Sequence, residues 1–393
     1  MSPRALVLID GEHYAPVVRD TLAALPYDVV AALLAGGTEK LVGDDDYGVP
    51  LVESLGAVDV DLVVDLSDEP VLGPRERLLW ASRALALGLP YVGADFRFEP
   101  PQFEPVDAPS LAVIGLGKRI GKTAVTGHVA RVLADGRRVV VVAMGRGGPP
   151  EPELIETPPA LDDLLALARS GRHAASDHLE TAALAGVPTV GCRRAGGGLA
   201  GAPLADNVLA GARVAEQLEP DVIVFDGSGA ALPPVAVDAR ILVVNGAHDV
   251  RAGLNAYRVL VSDLVVDTGG ADREEIRIIA DVPVVSAELR LRAMQPLAGR
   301  RTAVFTTGPA PTDGLDAEVV HVSRNLARRD LLREELETVQ ADVYLVELKA
   351  AAIDVVAEAA VARGAEVVLA ANDVVSAELD ERLLGLVPER TVT

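Results

Sequence analysis

The apolar run Leu111-Ala112-Val113-Ile114 feeds a turn, Gly115-Leu116-Gly117-Lys118-Arg119-Ile120-Gly121, that closes on Lys122-Thr123. From Ala124 to Ala134 the pattern becomes that of a helix. A strand that runs through a glycine-rich turn into a helix is the first half of a βαβ unit, so it commits the chain to a parallel sheet covered by helices. The same turn makes an anion-binding concavity, because N–H groups in the loop and in the first helical turn lack partners of their own. Gly-Lys-Thr is the ending of a P-loop, in which Lys122 reaches the β- and γ-phosphates of a nucleotide and the Thr123 hydroxyl ligates Mg²⁺. Gly115, Gly117 and Gly121 allow the backbone to approach those phosphates. The spacing is unusual: Leu116 stands where the motif usually has glycine, and Gly115 lies one residue further back.

At 393 residues the chain is long enough for two or three domains, each with its own core. Half of the residues are apolar but only 3% are aromatic, so those cores are built from Ala, Val, Leu and Ile, as suits buried parallel strands. A net charge of −22 opposes binding to nucleic acid and to anionic membranes. An anionic small substrate would need a locally basic pocket, which makes clustered arginines informative. The lysines are Lys40, Lys118, Lys122 and Lys349, and two of them sit in the P-loop. A single cysteine, Cys192, excludes an intramolecular disulfide framework and a cysteine-rich zinc site. With neither a secretory leader nor an apolar run of spanning length, the chain reads as soluble and cytoplasmic.

The pattern predicts an α/β protein: a central P-loop NTPase domain with a mainly parallel sheet, flanked by smaller N- and C-terminal α/β domains. Residues 1–95 alternate strands (Ala5–Ile9, Asp28–Leu34, Leu62–Asp65, Tyr91–Gly93) with helices (Ala15–Ala24, Pro74–Leu87). Residues 96–109, rich in proline, read as a linker or surface strap. In residues 110–298, strands are expected at Leu111–Ile114, Arg138–Ala143, Val222–Phe225, Ile241–Val244 and Leu264–Val266. Helices there follow the P-loop and cover Ala160–Ser170, Asp177–Ala185 and Asn207–Leu218. Residues 299–393 repeat the alternation, with strands at Ala303–Thr306, Glu318–His321, Val343–Val346 and Glu366–Ala370 and helices at Ala327–Val339 and Ala350–Arg363.

Phosphoryl transfer needs a carboxylate that positions a metal at the end of a neighbouring strand. Asp226 follows the apolar run Val222–Phe225 and precedes Gly227-Ser228-Gly229, so it is the candidate. Asn245, after the next strand, is a candidate contact to the base; the lysine of a guanine-selective motif is absent, which favours ATP. Two glycine loops carry arginines: Met144-Gly145-Arg146-Gly147-Gly148-Pro149-Pro150, and Gly191 to Gly201 with Arg193, Arg194 and Gly197. Arginine grips phosphate or carboxylate with two donors, so these loops suit a polyanionic substrate, although flexible loops paired to surface acids would look the same. In Ser176-Asp177-His178 a helix start is the ordinary reading, with His178 a substrate contact if that helix lines the cleft. His13, in Asp10-Gly11-Glu12-His13 after the first strand, lies where α/β ligand sites gather. Asp44-Asp45-Asp46 reads as a solvated loop rather than a calcium site.

Taken together these motifs resemble the cyclic 2,3-diphosphoglycerate synthetases. The resemblance rests on Leu8-Ile9-Asp10-Gly11-Glu12-His13-Tyr14, on Gly115–Thr123 with its Lys-Arg insertion, on Ala143–Pro150, on the Arg193–Gly201 loop and on Phe225-Asp226-Gly227-Ser228-Gly229. It implies closure of 2,3-diphosphoglycerate to its cyclic pyrophosphate at the expense of ATP, with Mg²⁺, in a dimer. Lys118, Arg119, Lys122 and Asp226 would then serve the reaction. Thr123 and Asp226 would hold the metal, and Arg146, Gly147, Gly148, Arg193, Arg194, Gly197, His178 and His13 would meet the substrate. Another ATP-dependent ligase or kinase for a small anionic acceptor, or a nucleotide-switched partitioning ATPase, would carry the same P-loop.

Overall fold

Three sheets organise this chain, and their central strands, buried on both faces, are dominated by Val, Ile, Leu and Ala. The computed structural model describes residues 2–43, 45–69, 71–170, 177–308, 311–348 and 352–387. Asp44, Ser176, Lys349 and Ala350, named above, lie outside the described residues. The chain divides into two units. One holds the residues up to Gln102 with Asp249–Val261 and Asp272–Val282; the other holds Phe103–His248, Ser262–Ala271 and Pro283 onward.

The first unit contains β1 (Arg4–Ile9), α1 (Ala15–Ala24), β2 (Asp28–Leu34), β3 (Leu62–Asp65), α2 (Pro74–Ala86), β4 (Tyr91–Val92) and β5 (Arg97–Phe98). The strands are ordered β2-β1-β3-β4-β5, parallel except for β5. Both helices carry proline in their first turn, where the missing N–H costs nothing, and α1 stops at Leu25, just before Pro26.

The second unit is built on β6 (Ser110–Gly115), α3 (Lys122–Ala134), β7 (Val139–Gly145), β8 (Glu153–Ile155), α4 (Leu161–Arg169), α5 (Asp177–Ala185), β9 (Thr189–Ala195), β10 (Ala205–Asp206), α6 (Val208–Glu216), β11 (Val222–Asp226) and β12 (Ala239–Val244). Then follow α7 (Asn255–Leu260), β13 (Leu264–Asp267), α8 (Arg273–Ile279) and β14 (Val284–Ser286). The sheet order is β10-β9-β7-β11-β6-β12-β13-β14, with β8 also on β9; all pairs are parallel except those of β8 and β10. Helices α7 and α8 fall in the first unit, where α7 packs on α2 and Arg251 pairs with Glu76 at 3.7 Å and Glu275 at 3.4 Å.

The remaining elements are β15 (Glu288–Ala293), β16 (Arg301–Phe305), β17 (Glu318–Ser323), α9 (Arg329–Thr338), β18 (Val343–Glu347), α10 (Glu358–Ala362), β19 (Glu366–Val375) and α11 (Ala377–Leu386). Their sheet runs β15-β19-β18-β16-β17, antiparallel only at β15. Leu379 and Leu383 of α11 share one buried core with Val125 and Val129 of α3 and with Val113, Val141 and Val224 of the sheet. The predicted α/β class and its mainly parallel central sheet are therefore observed.

Several local expectations change. Gly191–Ala195 is the end of strand β9 rather than loop, and Met144 and Gly145 belong to β7. Glycine and arginine hide β9 in the sequence because its inward positions are filled by neighbours: a Cβ on Gly191 would collide with the His178 ring. The proline-rich segment contains β5, and further on Glu104 N–H donates to the Pro234 carbonyl at 3.0 Å while Ala236 N–H donates to that of Glu104 at 2.8 Å. The short elements β8, β10, β14 and α7 have too few residues to declare a period, while β15, α8 and α11 are not anticipated from the sequence. Ala352–Ala357 is a π-helical turn ahead of α10.

Candidate active site

The loop between β6 and α3 is shaped by two apolar anchors. Leu116 and Ile120 are both buried, and a Cβ on Gly115 would collide with the Ile120 side chain folded back over it. With both ends of the turn held in the core, Lys118 and Arg119 are pushed into solvent, where neither forms an ion pair among the described residues. Arg119 takes a left-handed φ of 62°, a conformation that costs a non-glycine residue about 1–2 kcal/mol. Gly121, at φ 82°, caps α3 and points α3's first N–H groups into the turn.

Strand β11 lies directly beside β6, and Asp226 stands opposite Val113 near the carboxyl end of both. Its carboxylate is buried, accepts from Lys122 Nζ, and accepts from the Thr126 hydroxyl at 2.8 Å. Lys122 and Asp226, expected on separate segments, are thus joined, and Thr126, a helical turn beyond Lys122, is a partner that the sequence did not flag. Thr123 is half-buried at the start of α3. Asn245 donates its amide to the Arg119 carbonyl at 3.3 Å and accepts from Ala247 N–H at 3.1 Å. The His248 ring rests on Gly117, so closely that no Cβ would fit between them.

Beyond Asp226 the chain turns at Gly229 (φ 60°). A Cβ on Gly115 would lie 3.5 Å from the Gly229 carbonyl, and a Cβ on Gly229 would lie 3.6 Å from Arg146 Nη2 and 3.8 Å from Arg194 Nη2. Gly229 is therefore bracketed by the P-loop on one side and by two guanidinium groups on the other. Arg146, Arg194, Ala195, Gly196, Gly197, Gly198, Ala230 and Ala231 line a cleft of ≈ 560 Å³. Arg194 is 7% exposed, donates to the carbonyls of Gly196 (2.7 Å) and Ser228 (2.9 Å), and feels a second positive charge from Arg146. Burial first, then the Arg146 charge, disfavour its protonated form, and Asp177 only partly offsets them. A guanidinium does not give up its proton at ordinary pH, so Arg194 remains a charged donor at the wall of the cleft.

Arg193 stands apart. Strand residues alternate faces, and Arg193 is exposed where Arg194 is buried. Its Nε donates to the Pro149 carbonyl at 3.0 Å, and Asn207, unmarked in the sequence, donates to the carbonyls of Pro149 (3.3 Å) and Pro150 (3.0 Å). Together they pin the Gly147-Gly148-Pro149-Pro150 segment; a Cβ on Gly148 would collide with the Cys192 carbonyl. His178 is 4% exposed with its ring against Gly191 and its Nε2 3.6 Å from Glu153, so it is not among the residues lining the cleft. Burial pushes the Cys192 thiol up to about 12, which removes it as a nucleophile.

In the first unit His13 donates from Nδ1 to Asp10 at 2.7 Å. Burial works against the Asp10 carboxylate, but the hydrogen bonds from His13, Asp68 N–H and Glu12 N–H outweigh it and hold its pKa below the usual range.

Among the described residues no three His, Cys, Asp or Glu side chains gather as a metal site, and no helix is long and apolar enough to cross a membrane. A Mg²⁺ ion would find the Asp226 carboxylate and the Thr123 hydroxyl. These few hard oxygen donors fit an ion that keeps its waters and shares nucleotide phosphates.

Comparison with known proteins agrees along the whole chain. Residues 4–99 match the N-terminal domain, 110–284 the P-loop domain and 295–373 the C-terminal domain of cyclic 2,3-diphosphoglycerate synthetase. A protein of that name from Rubrobacter xylanophilus is 48% identical, covering 98% of this chain and 97% of the relative. One from Thermococcus kodakarensis is 42% identical, covering 97% and 99%.

Proposed function

The chain belongs to the cyclic 2,3-diphosphoglycerate synthetases, an ATP-dependent enzyme family, and from its site we propose that it closes 2,3-diphosphoglycerate into the cyclic pyrophosphate and releases ADP and phosphate. The observation that carries this reading is Gly229, with Gly115 of the P-loop on one side and the like-charged pair Arg146 and Arg194 on the other. That arrangement suits two polyanions brought end to end.

Lys122 and the N–H groups of the P-loop would hold the β- and γ-phosphates of ATP. Mg²⁺, held by Thr123 and Asp226, would neutralise charge between those phosphates. Arg146 and Arg194 would receive the second anion, and the exposed Lys118 and Arg119 would add positive charge where the two meet. One phosphate of the substrate takes the γ-phosphoryl group. The other then attacks the phosphorus bound to the glycerate oxygen, closing the ring and expelling the transferred group as inorganic phosphate. Both nucleophiles are phosphate oxygens already ionised near neutral pH, so alignment and charge neutralisation are the main demands and no strong base is needed. Action as a homodimer in the cytoplasm belongs to the same proposal.

Incubation with ATP, Mg²⁺ and 2,3-diphosphoglycerate should produce the cyclic pyrophosphate in ³¹P NMR, with one ADP and one phosphate per ring closed. ADP release without the cyclic product would point to a different acceptor.

A further inference from the structure

We propose that Asn245 and Thr268 are positioning residues that set the P-loop for phosphate binding by holding two of its carbonyl groups. Asn245 Nδ2 donates to the Arg119 carbonyl at 3.3 Å, and the Thr268 hydroxyl donates to the Ile120 carbonyl at 2.9 Å. These residues follow β12, which lies next to β6 on the side away from Asp226, and β13, one strand further out. A trans peptide points its N–H opposite to its C=O. Fixing the carbonyls of Arg119 and Ile120 toward the β12–β13 edge therefore fixes the N–H groups of Ile120 and Gly121 in the opposite direction. Neither of those N–H groups donates a hydrogen bond among the described residues. They are free donors in a loop preceding a helix N-terminus, which is the arrangement an anion fills.

The loop needs such anchors. The left-handed Arg119 persists only where its surroundings over-determine it. The single Thr268 hydroxyl proton is shared with the Val244 carbonyl at 3.2 Å, which ties the loop to the end of β12. The Asn245 amide, turned to the loop in this way, reads no base.

The inference rests on the P-loop being the ATP site, and the test separates the two. Binding of ATP and of inorganic tripolyphosphate would be titrated calorimetrically for the wild type and for Asn245→Ala, Thr268→Val and Thr268→Ser. Wild-type protein that binds neither ligand overturns the ATP-site reading itself. If wild-type binding is intact, the positioning role predicts that Asn245→Ala and Thr268→Val each weaken both ligands by roughly 3- to 10-fold, the worth of one hydrogen bond, while Thr268→Ser stays near wild type. The two weakening changes together should cost less than the product of the singles, because they release one loop. Loss of ATP affinity alone at Asn245→Ala, with tripolyphosphate unchanged, would mean a base contact and overturn the proposal. So would unchanged affinity for both ligands in both variants, even with a lowered melting temperature. Should Asn245→Ala fail to fold, the Val and Ser pair at Thr268 decides the question alone.

Discussion

Arg193 and Arg194 are neighbours in the chain and leave β9 on opposite faces: Arg194 is buried beside Arg146 at the cleft, while Arg193 is exposed and bonded to the Pro149 carbonyl. The alternation of a strand divides what the sequence presents as one basic cluster into two tasks.

That division predicts different losses on truncation. Arg146→Ala and Arg194→Ala each remove a charge from the cleft and should raise KM for 2,3-diphosphoglycerate by roughly 10- to 100-fold, as for hydrogen bonds to charged groups of about 1.5–3 kcal/mol. KM for ATP should change little. Arg193→Ala should change the diphosphoglycerate KM by no more than roughly fivefold, since it loses one bond to a carbonyl, worth about 1 kcal/mol or less. Steady-state kinetics with each substrate varied in turn checks this, and equal losses at 193 and 194 would contradict it.

In the proposed reaction Lys122 and Asp226 serve catalysis, and because the pair is buried its loss should be felt in stability as well. Lys122→Ala should lower kcat at least roughly 100-fold, the loss of one preorganised charge-stabilising donor. Among the described residues it also leaves a buried carboxylate with only Thr126 as a partner, which should cost up to about 3–5 kcal/mol in unfolding free energy. Lys122→Met combined with Asp226→Asn should recover most of that stability and none of the activity. Chemical denaturation alongside ADP release separates the two effects.

Packing at Gly148 gives a prediction independent of chemistry. Gly148→Ala must displace the backbone of β9 at Cys192 and should destabilise the fold by about 1–3 kcal/mol or more. Gly56→Ala, with open space around it and no left-handed φ, should stay within about 0.5 kcal/mol of wild type. Thermal melting of the two variants provides the comparison.

Asp10 makes the first unit acid-sensitive. Its native pKa lies below the ordinary 3.8, so its stabilisation is fully present above that value and is lost as pH falls through the native pKa. Asp10→Asn should therefore be less stable than wild type at neutral pH, and the difference should shrink as the solution is acidified below 3.8. Urea unfolding across that range, followed by the Trp80 fluorescence of this unit, measures it. A gap that widens in acid would contradict the hydrogen-bonding account.

Most of the fold was legible where periods are long. The strands Asp28–Leu34 and Leu62–Asp65 and the helices Ala15–Ala24 and Asp177–Ala185 have the bounds expected, because each buries a face whose pattern spans several residues. Strand β9 was not legible, since Gly191 makes room for His178 and its arginines reach the distant carbonyls of Pro149 and Ser228. Asn207 and Thr126 carried no motif; only a neighbour brought close by folding reveals what their side chains do.

The sequence by itself determined the α/β class, the P-loop domain and the family, because strand–turn–helix chemistry is local and its residues are contiguous. Only the tertiary structure decided that β11 lies beside β6, that Arg194 and not Arg193 lines the cleft, and that Asn245 and Thr268 donate to carbonyls of the P-loop. Strand order and the facing of side chains arise from hydrogen bonds and packing between segments far apart in the chain, and no local pattern records them.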